Sequence, residues 1–302
     1  MTPLRDISAV LFGSNLVAMV TPMLPDGRLS WDGVTRLVDH LLAGGCDGLV
    51  VAGTTGESPT LTPAETSGLI AAIADQARGR ARVVAGVGSN DTARSTDQAR
   101  RAAEAGADAL LLVSPYYSRP TQAGVVAHCL AVADATALPV MLYDVPHRTG
   151  TPFTAMTLTE LARHPSIKAV KDAKGDLFEA VTMMAGTDLA YYCGIDELNL
   201  PYLAVGACGV VSVVGNVAAD QNADLIRAVR EGDLARARAI QRSLVPLVEA
   251  IMRSSQGAIM AKAALAETGI LDHATVRLPL VEALPEHIDK LRSALACAGV
   301  TV

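Results

Sequence analysis

The sequence predicts an α/β protein that folds as a (β/α)8 TIM barrel with a C-terminal helical extension. Three observations support this: eight short apolar runs rich in Val and Leu, amphipathic segments of helical length between them, and a purely helical pattern over residues 233–302. Eight strand–helix units in about 230 residues agree with the usual length of this barrel, about 250 residues. Half of the 302 residues are hydrophobic and 19% are charged, so the chain has enough apolar material for a large core.

Each apolar run is expected to be a parallel strand buried on both faces, because most of the runs are too short for a helix. The runs are 16–20, 48–51, 82–86, 109–113, 139–143, 167–171, 189–193 and 209–214. After the second run, Thr62 can cap a helix, Pro63 takes its first position and Glu65 completes a capping box. The other predicted helices are 32–43, 92–105, 122–136, 157–163, 176–184, 197–204, 221–230, 234–254, 258–267 and 285–298.

The competing fold is an open doubly wound sheet, which usually carries a glycine fingerprint after its first strand. Here the first strand leads into Thr21-Pro22, and the nearest candidate, Gly86-Val87-Gly88, has Asp91 where the third glycine belongs. The barrel is therefore favoured. We divide the chain into a catalytic barrel domain, residues 1–232, and a C-terminal helical domain, residues 233–302, in which we find no chemical motif.

Composition argues against several classes of protein. A net charge of −6 is unlike that of nucleic-acid-binding proteins, and no uncharged apolar run reaches the roughly 18 residues of a membrane span. The first ten residues, MTPLRDISAV, lack the pattern of a secretion signal. The five cysteines form no CxxC pair and the six histidines no HxxxH pair, so no metal site is expected. We expect a cytoplasmic protein.

Lys171 stands out among the polar residues at strand ends. The carboxyl ends of barrel strands surround the active site, and Lys171 closes the sixth strand. Only about one ordinary lysine in 2,500 is neutral at pH 7, but burial lowers the pKa. A buried Lys171 is therefore a candidate nucleophile for a Schiff base. The alternative is a lysine that reaches solvent or pairs with Asp172 or Glu57.

Other strand ends carry polar side chains, each of which can have either a functional or a purely structural role. Tyr143 and Tyr117 can carry protons, or they can be amphipathic rings at a packing boundary. Thr54 and Thr55, flanked by glycines, can form a cradle of hydroxyl and N–H groups for a carboxylate or phosphate, or simply a capped turn. Arg148 can bind a carboxylate with two hydrogen bonds, or lie on the surface.

Five segments follow one another along essentially the whole chain: GTTGES (53–58), SPYY (114–117), YDVPHRTG (143–150), VKDAKGD (170–176) and GVVSV (209–213). Their sequence and spacing are similar to the pattern of the dihydrodipicolinate synthase family, in the pyruvate-dependent lyase and aldolase superfamily. The resemblance implies a (β/α)8 barrel with a C-terminal helical domain, and a Schiff base between Lys171 and pyruvate. The resulting enamine would attack the aldehyde of L-aspartate 4-semialdehyde and give 4-hydroxy-tetrahydrodipicolinate, on the path to diaminopimelate and lysine. No metal or organic cofactor is implied, because the imine is the electron sink.

The resemblance also implies roles for individual residues. Tyr143 would shuttle protons beside the imine, with Thr54 and Tyr117 as its relay partners. Because family members reach Tyr117 across a subunit contact, a homo-tetramer arranged as a dimer of dimers is implied. The residues implied to bind substrate are Thr55 for the pyruvate carboxylate, Arg148 for the semialdehyde carboxylate, and Gly194 and Val211 for their backbone near pyruvate.

The sequence differs from the family pattern at one position near the site, and two other functions are alternatives to the one that the resemblance implies. Asp144 stands where the family often has Asn, and adds a negative charge near the site. A sister lyase acting on N-acetylneuraminate or a 2-keto-3-deoxy sugar acid would keep Lys171 and Tyr143, but such lyases generally lack the arginine at position 148. A barrel that only senses a keto acid would lack a catalytic residue, and here none is missing.

The sequence predicts weak or absent inhibition by L-lysine. Lysine-sensitive family members resemble one another in carrying two histidines and a glutamate at the positions of Pro63, Thr66 and Arg94. Arg94 in place of a carboxylate would repel the ammonium of lysine. L-lysine titrated into the condensation assay should leave the rate nearly unchanged, and strong inhibition at sub-millimolar lysine would refute this prediction.

Overall fold

The computed structural model describes residues 10–301 and confirms the predicted barrel. Eight parallel strands pair in chain order, and the last strand pairs with the first, which closes the sheet. Residues 1–9, which include most of the segment used to argue against a secretion signal, lie outside the described residues.

Each of the eight predicted runs overlaps a strand. The strands are β1 Asn15–Ala18, β2 Gly48–Val51, β3 Arg82–Gly86, β4 Ala109–Val113, β5 Val140–Asp144, β6 Ile167–Asp172, β7 Ala190–Cys193 and β8 Gly209–Ser212. The helices around and beyond them are α1 Trp31–Ala43, α2 Pro63–Ala77, α3 Thr92–Glu104, α4 Gln122–Ala133, α5 Pro146–Thr149, α6 Ala155–Leu161, α7 Leu177–Gly186, α8 Asn199–Val205, α9 Gly215–Arg230, α10 Leu234–Met252, α11 Gly257–Glu267 and α12 Pro285–Cys297.

Two helices differ most from the sequence prediction. The segment around Arg148, where no helix was predicted, forms the single-turn helix α5, which Gly150 ends in a left-handed conformation. Helix α9 starts at Gly215, before the predicted start at residue 221, and is kinked where Ala218 leaves helical geometry. The capping box of α2 forms as predicted, with Glu65 N–H donating to Thr62 Oγ1 and Thr62 N–H donating to a Glu65 carboxylate oxygen.

The alternation of side chains along the strands divides the core into two layers. Met141, Tyr143 and Ala169 belong to the cluster inside the barrel, whereas Leu142 and Val170 belong to the cluster between strands and helices. The same alternation directs Lys171 into the barrel and Asp144 and Asp172 toward the helices. The register places Lys171 between Tyr143 of β5 and Tyr192 of β7.

The C-terminal helices α10, α11 and α12 pack against one another, and α10 and α11 also pack against α9. Their buried side chains, including Leu247 and Leu265, join the core layer outside the barrel strands. The proposed division of the chain at residue 232 stays a prediction. Of the helices between residues 10 and 301, none combines the length and apolar composition that crossing a bilayer requires.

Candidate active site

A cavity of about 310 Å³ opens at the carboxyl ends of the strands and contains most of the predicted site residues. Loops after β2, β5, β6, β7 and β8 form its walls, together with the segment between α10 and α11. The six predicted residues that line it are Thr54, Thr55, Tyr143, Arg148, Lys171 and Gly194. A depression of about 810 Å³ lies at the opposite end of the barrel, but no predicted residue lines it, so size alone does not identify the site.

Lys171 projects into the barrel interior and is 5% exposed. Burial lowers the pKa of its amine to about 8, with Arg148 adding to the effect and the Asp196 carboxylate opposing it. At that pKa about one amine in ten is neutral at pH 7, some hundreds of times more than for an ordinary lysine. The strand position thus supplies a usable nucleophile.

The structure excludes the alternative in which Lys171 pairs with Asp172 or Glu57. The Asp172 carboxylate lies on the helix side of β6, where it accepts the N–H group of Lys174. Glu57 pairs with Lys262 instead. Within residues 10–301, no carboxylate approaches the Lys171 amine to ion-pair distance.

Tyr143 lies directly against the Lys171 amine. Nζ is 4.2 Å from the centroid of the tyrosine ring, so the amine sits over the aromatic face. Burial raises the pKa of the Tyr143 phenol, although Arg148 and the Thr54 side chain, which hydrogen-bonds the phenol, both lower it. The phenol therefore stays protonated near neutral pH, and can both donate and accept a hydrogen bond.

Thr54 and Thr55 occupy a compact turn after β2. The carbonyl of Gly53 accepts the N–H groups of Gly56 and Ser58, and Thr21 donates its hydroxyl to the carbonyl of Gly56. No hydrogen bond within residues 10–301 uses the N–H groups of Thr54 or Thr55. Both residues line the cavity, so one turn brings two N–H groups without a partner and two hydroxyls to its wall, a set of groups suited to a carboxylate.

A buried ion pair holds this turn in place. Glu57 has a left-handed backbone (φ 56°), and its carboxylate accepts from Lys262 Nζ of α11 at 2.5 Å. Arg277 N–H donates to the other carboxylate oxygen, and its guanidinium binds Glu65. Lys262 also donates to the carbonyl of Thr275. Sequence reasoning missed Lys262, because the C-terminal helices showed no motif.

The loop after β7 is built closely around Lys171. A Cβ atom on Gly194 would stand 3.0 Å from both Cγ and Cε of Lys171, so a larger residue would displace the amine. Two residues later, the buried Asp196 carboxylate accepts the Ser212 hydroxyl and the N–H groups of Val213 and Val214. This carboxylate thereby joins the loops after β7 and β8 beside the lysine.

Two predicted site residues do not line the cavity. Tyr117 is 87% exposed, has a left-handed backbone (φ 74°) and does not line this chain's own cavity. Val211 is buried among the side chains inside the barrel. Their proposed roles, at a subunit contact and through the backbone, stay predictions.

Asp144 lies near the site but does not line the cavity. Because it follows Tyr143 on β5, its side chain faces the helix layer, 3.4 Å from Lys174 Nζ. Burial raises the pKa of the Asp144 carboxyl to about 6, although Lys174 opposes the shift. Glu179 holds Lys174 from its other side at 2.7 Å.

Pro63, Thr66 and Arg94, on which the prediction about L-lysine rests, lie together. They line a crevice of about 10 Å³ between α2 and α3, to which Arg101 adds a second guanidinium. This volume is that of about one water molecule, so the crevice has no room for a lysine side chain without rearrangement.

The chain is similar to known proteins over nearly its whole length. A sequence model of the dihydrodipicolinate synthetase family matches residues 11–298. The chain is 52% identical over 290 residues to a 4-hydroxy-tetrahydrodipicolinate synthase of Corynebacterium aurimucosum, covering 96% of this chain and 95% of the relative. It is 49% identical over 289 residues to a protein of the same name from Kineococcus radiotolerans, covering 96% and 94%.

Solved structures of dihydrodipicolinate synthases are also similar to this chain. A chloride-inhibited dihydrodipicolinate synthase from Acinetobacter baumannii, crystallised with pyruvate, superposes with a TM-score of 0.91 at 35% identity. The match covers 95% of this chain and 99% of that chain.

The Glu57–Lys262 pair should be important for stability. Lys262→Met leaves a buried carboxylate without its cation, and we expect the free energy of unfolding to fall by about 3–5 kcal/mol, measured by urea denaturation. The double variant Glu57→Gln/Lys262→Met removes both charges, and its free energy of unfolding should fall by less than that of the single variant. Lys290→Met, which removes an exposed lysine of α12, is the matched control. A Lys262→Met variant as stable as this control would contradict the prediction.

Proposed function

This chain belongs to the dihydrodipicolinate synthetase family, and we propose that it is a 4-hydroxy-tetrahydrodipicolinate synthase that works through a Schiff base on Lys171. Its substrates are pyruvate and L-aspartate 4-semialdehyde, and its product lies on the path to diaminopimelate and lysine. The observation that carries the mechanism is the buried Lys171 amine, whose pKa is lowered to about 8 beside the unused N–H groups of Thr54 and Thr55.

The first half of the reaction binds pyruvate covalently. The neutral Lys171 amine attacks the ketone carbon, and loss of water gives the imine. The N–H and hydroxyl groups of Thr54 and Thr55 hold the pyruvate carboxylate, with Gly194 and Val211 contributing backbone nearby. Loss of a methyl proton then gives the enamine. The imine nitrogen takes the electron pair, so this mechanism needs no metal or organic cofactor.

The second half forms one carbon–carbon bond and one ring. The enamine carbon attacks the aldehyde carbon of the semialdehyde, whose oxygen takes a proton and becomes the 4-hydroxyl group. The ammonium group of the semialdehyde then loses a proton, and the resulting amine attacks the imine carbon. Protons pass from this nitrogen to the Lys171 nitrogen, which leaves as the amine. Arg148, at the cavity mouth, binds the semialdehyde carboxylate.

Proton transfers in both halves are assigned to Tyr143, with Thr54 and Tyr117 as its relay. The buried phenol beside the Lys171 amine supports the first of these roles. The exposed ring of Tyr117 supports a role in the site of a neighbouring subunit. The assembly is accordingly a homo-tetramer, a dimer of dimers, and the enzyme works in the cytoplasm on small molecules.

Borohydride trapping tests the imine. Pyruvate and borohydride should add a reduced pyruvyl group to Lys171, detected by peptide mass spectrometry. Lys171→Met should abolish the adduct, whereas Lys168→Met, which removes the exposed lysine of the same strand, should keep it. Wild-type enzyme without an adduct at Lys171 would overturn the mechanism.

The lowered pKa of Lys171 predicts the pH dependence of the same step. Only the neutral amine attacks, so kcat/KM for pyruvate should rise about tenfold per pH unit below the lysine pKa and level off above about 8. The measurement is the initial rate between pH 6 and pH 9. A rate that keeps rising toward pH 10 would show an ordinary, solvated lysine.

Arg148→Ala tests how the second substrate binds. Loss of a charge-assisted carboxylate contact should raise KM for the semialdehyde roughly tenfold or more. The yield of the pyruvate adduct should stay close to that of the wild type. Equal damage to both substrates would contradict the assignment of Arg148.

A further inference from the structure

The cavity holds one carboxylate that the proposed mechanism does not use. Glu197 is the only Asp or Glu among the described residues that line the cavity. Its side chain is 29% exposed, and Arg253 Nε lies 3.4 Å from Oε1. Within residues 10–301, no residue hydrogen-bonds the second oxygen, Oε2. One oxygen of Glu197 is therefore available to a ligand.

The position of Glu197 relative to the other charges suggests what that ligand carries. Glu197 follows β7 and Arg148 follows β5, while Lys171 is on β6 between them. The cavity thus has a cation on one side of the reacting amine and an anion on the other. Lys174 also lines the cavity, but its charge is taken up by Glu179 and Asp144.

We propose that Glu197 binds the α-ammonium group of the aldehyde substrate while Arg148 binds its α-carboxylate. This inference rests on the proposed function. An α-amino acid carries an ammonium group and a carboxylate on the same carbon. A cavity with an anion on one side and a cation on the other can pair with both groups. Attraction between such groups is stronger in a partly closed cavity than in water. With the aldehyde at the enamine as a third contact, the arrangement also selects one enantiomer.

The alternative is that Glu197 only anchors Arg253 at the rim. Arg253 is mostly exposed, and exposed ion pairs of this kind contribute little to stability. A purely structural role would alter the binding of any aldehyde equally, whether or not it carries an ammonium group. The two roles are therefore separable with a substrate analogue.

The test compares L-aspartate 4-semialdehyde with succinic semialdehyde, which has the carboxylate and the aldehyde but no ammonium. In Glu197→Gln, KM for the amino aldehyde should rise about tenfold, the loss expected for a hydrogen bond to a charged group. The inhibition constant of succinic semialdehyde and KM for pyruvate should each stay within about twofold. Glu249→Gln, which neutralises an exposed carboxylate of α10 outside the cavity lining, is the matched control and should leave all three constants unchanged.

Two results in Glu197→Gln would overturn the inference. One is an equal rise in KM for L-aspartate 4-semialdehyde and in the inhibition constant of succinic semialdehyde, and the other is no rise in either constant. A different result would show that the proposed function itself is wrong. If wild-type enzyme forms the pyruvate adduct at Lys171 but does not consume L-aspartate 4-semialdehyde, the assigned second substrate is wrong, and the role of Glu197 is wrong with it.

Discussion

The burial of the Lys171 amine is the constraint on which the rest of the site depends. A pKa lowered from 10.5 to about 8 means that the fold disfavours the ammonium form by on the order of 3 kcal/mol at neutral pH. This cost is a large part of the marginal stability of a typical protein, so the remainder of the barrel must offset it. Closure of the sheet and the apolar layers on both sides of the strands provide that stabilisation and keep water from the amine.

The placement of the carboxylates around Lys171 keeps the pKa of its amine low. A carboxylate in direct contact would raise the lysine pKa and remove the neutral amine. Asp144 and Asp172 avoid that contact because the pleat of β5 and β6 turns them toward the helices. Glu57 avoids it through its ion pair with Lys262, and Asp196 is held by hydrogen bonds from the loop after β8. Among residues 10–301, Glu197 is left as the one carboxylate that lines the cavity.

The C-terminal helices contribute to the site and are more than a cover for the barrel. Lys262 of α11 and Arg277, in the segment between α11 and α12, bind the turn that contains Thr54 and Thr55. The segment between α10 and α11 forms one wall of the cavity. The geometry of the turn after β2 thus depends on residues more than two hundred positions away. In the proposed mechanism, a change in these helices would act on pyruvate binding without touching pyruvate.

Features that arise from neighbouring residues were predictable from the sequence by itself. Apolar runs determined the eight strands and the Thr62–Glu65 capping box determined the start of α2, because each depends on interactions within a few residues. The order of short motifs along the chain indicated Lys171 and Arg148 as candidate site residues. Only the tertiary structure decided the environment of these residues. The orientation of Asp144 depends on strand register, the partner of Glu57 lies 205 residues away, and the desolvation of Lys171 requires the closed barrel. Burial and long-range pairing are properties of the assembled chain, and no local pattern encodes them.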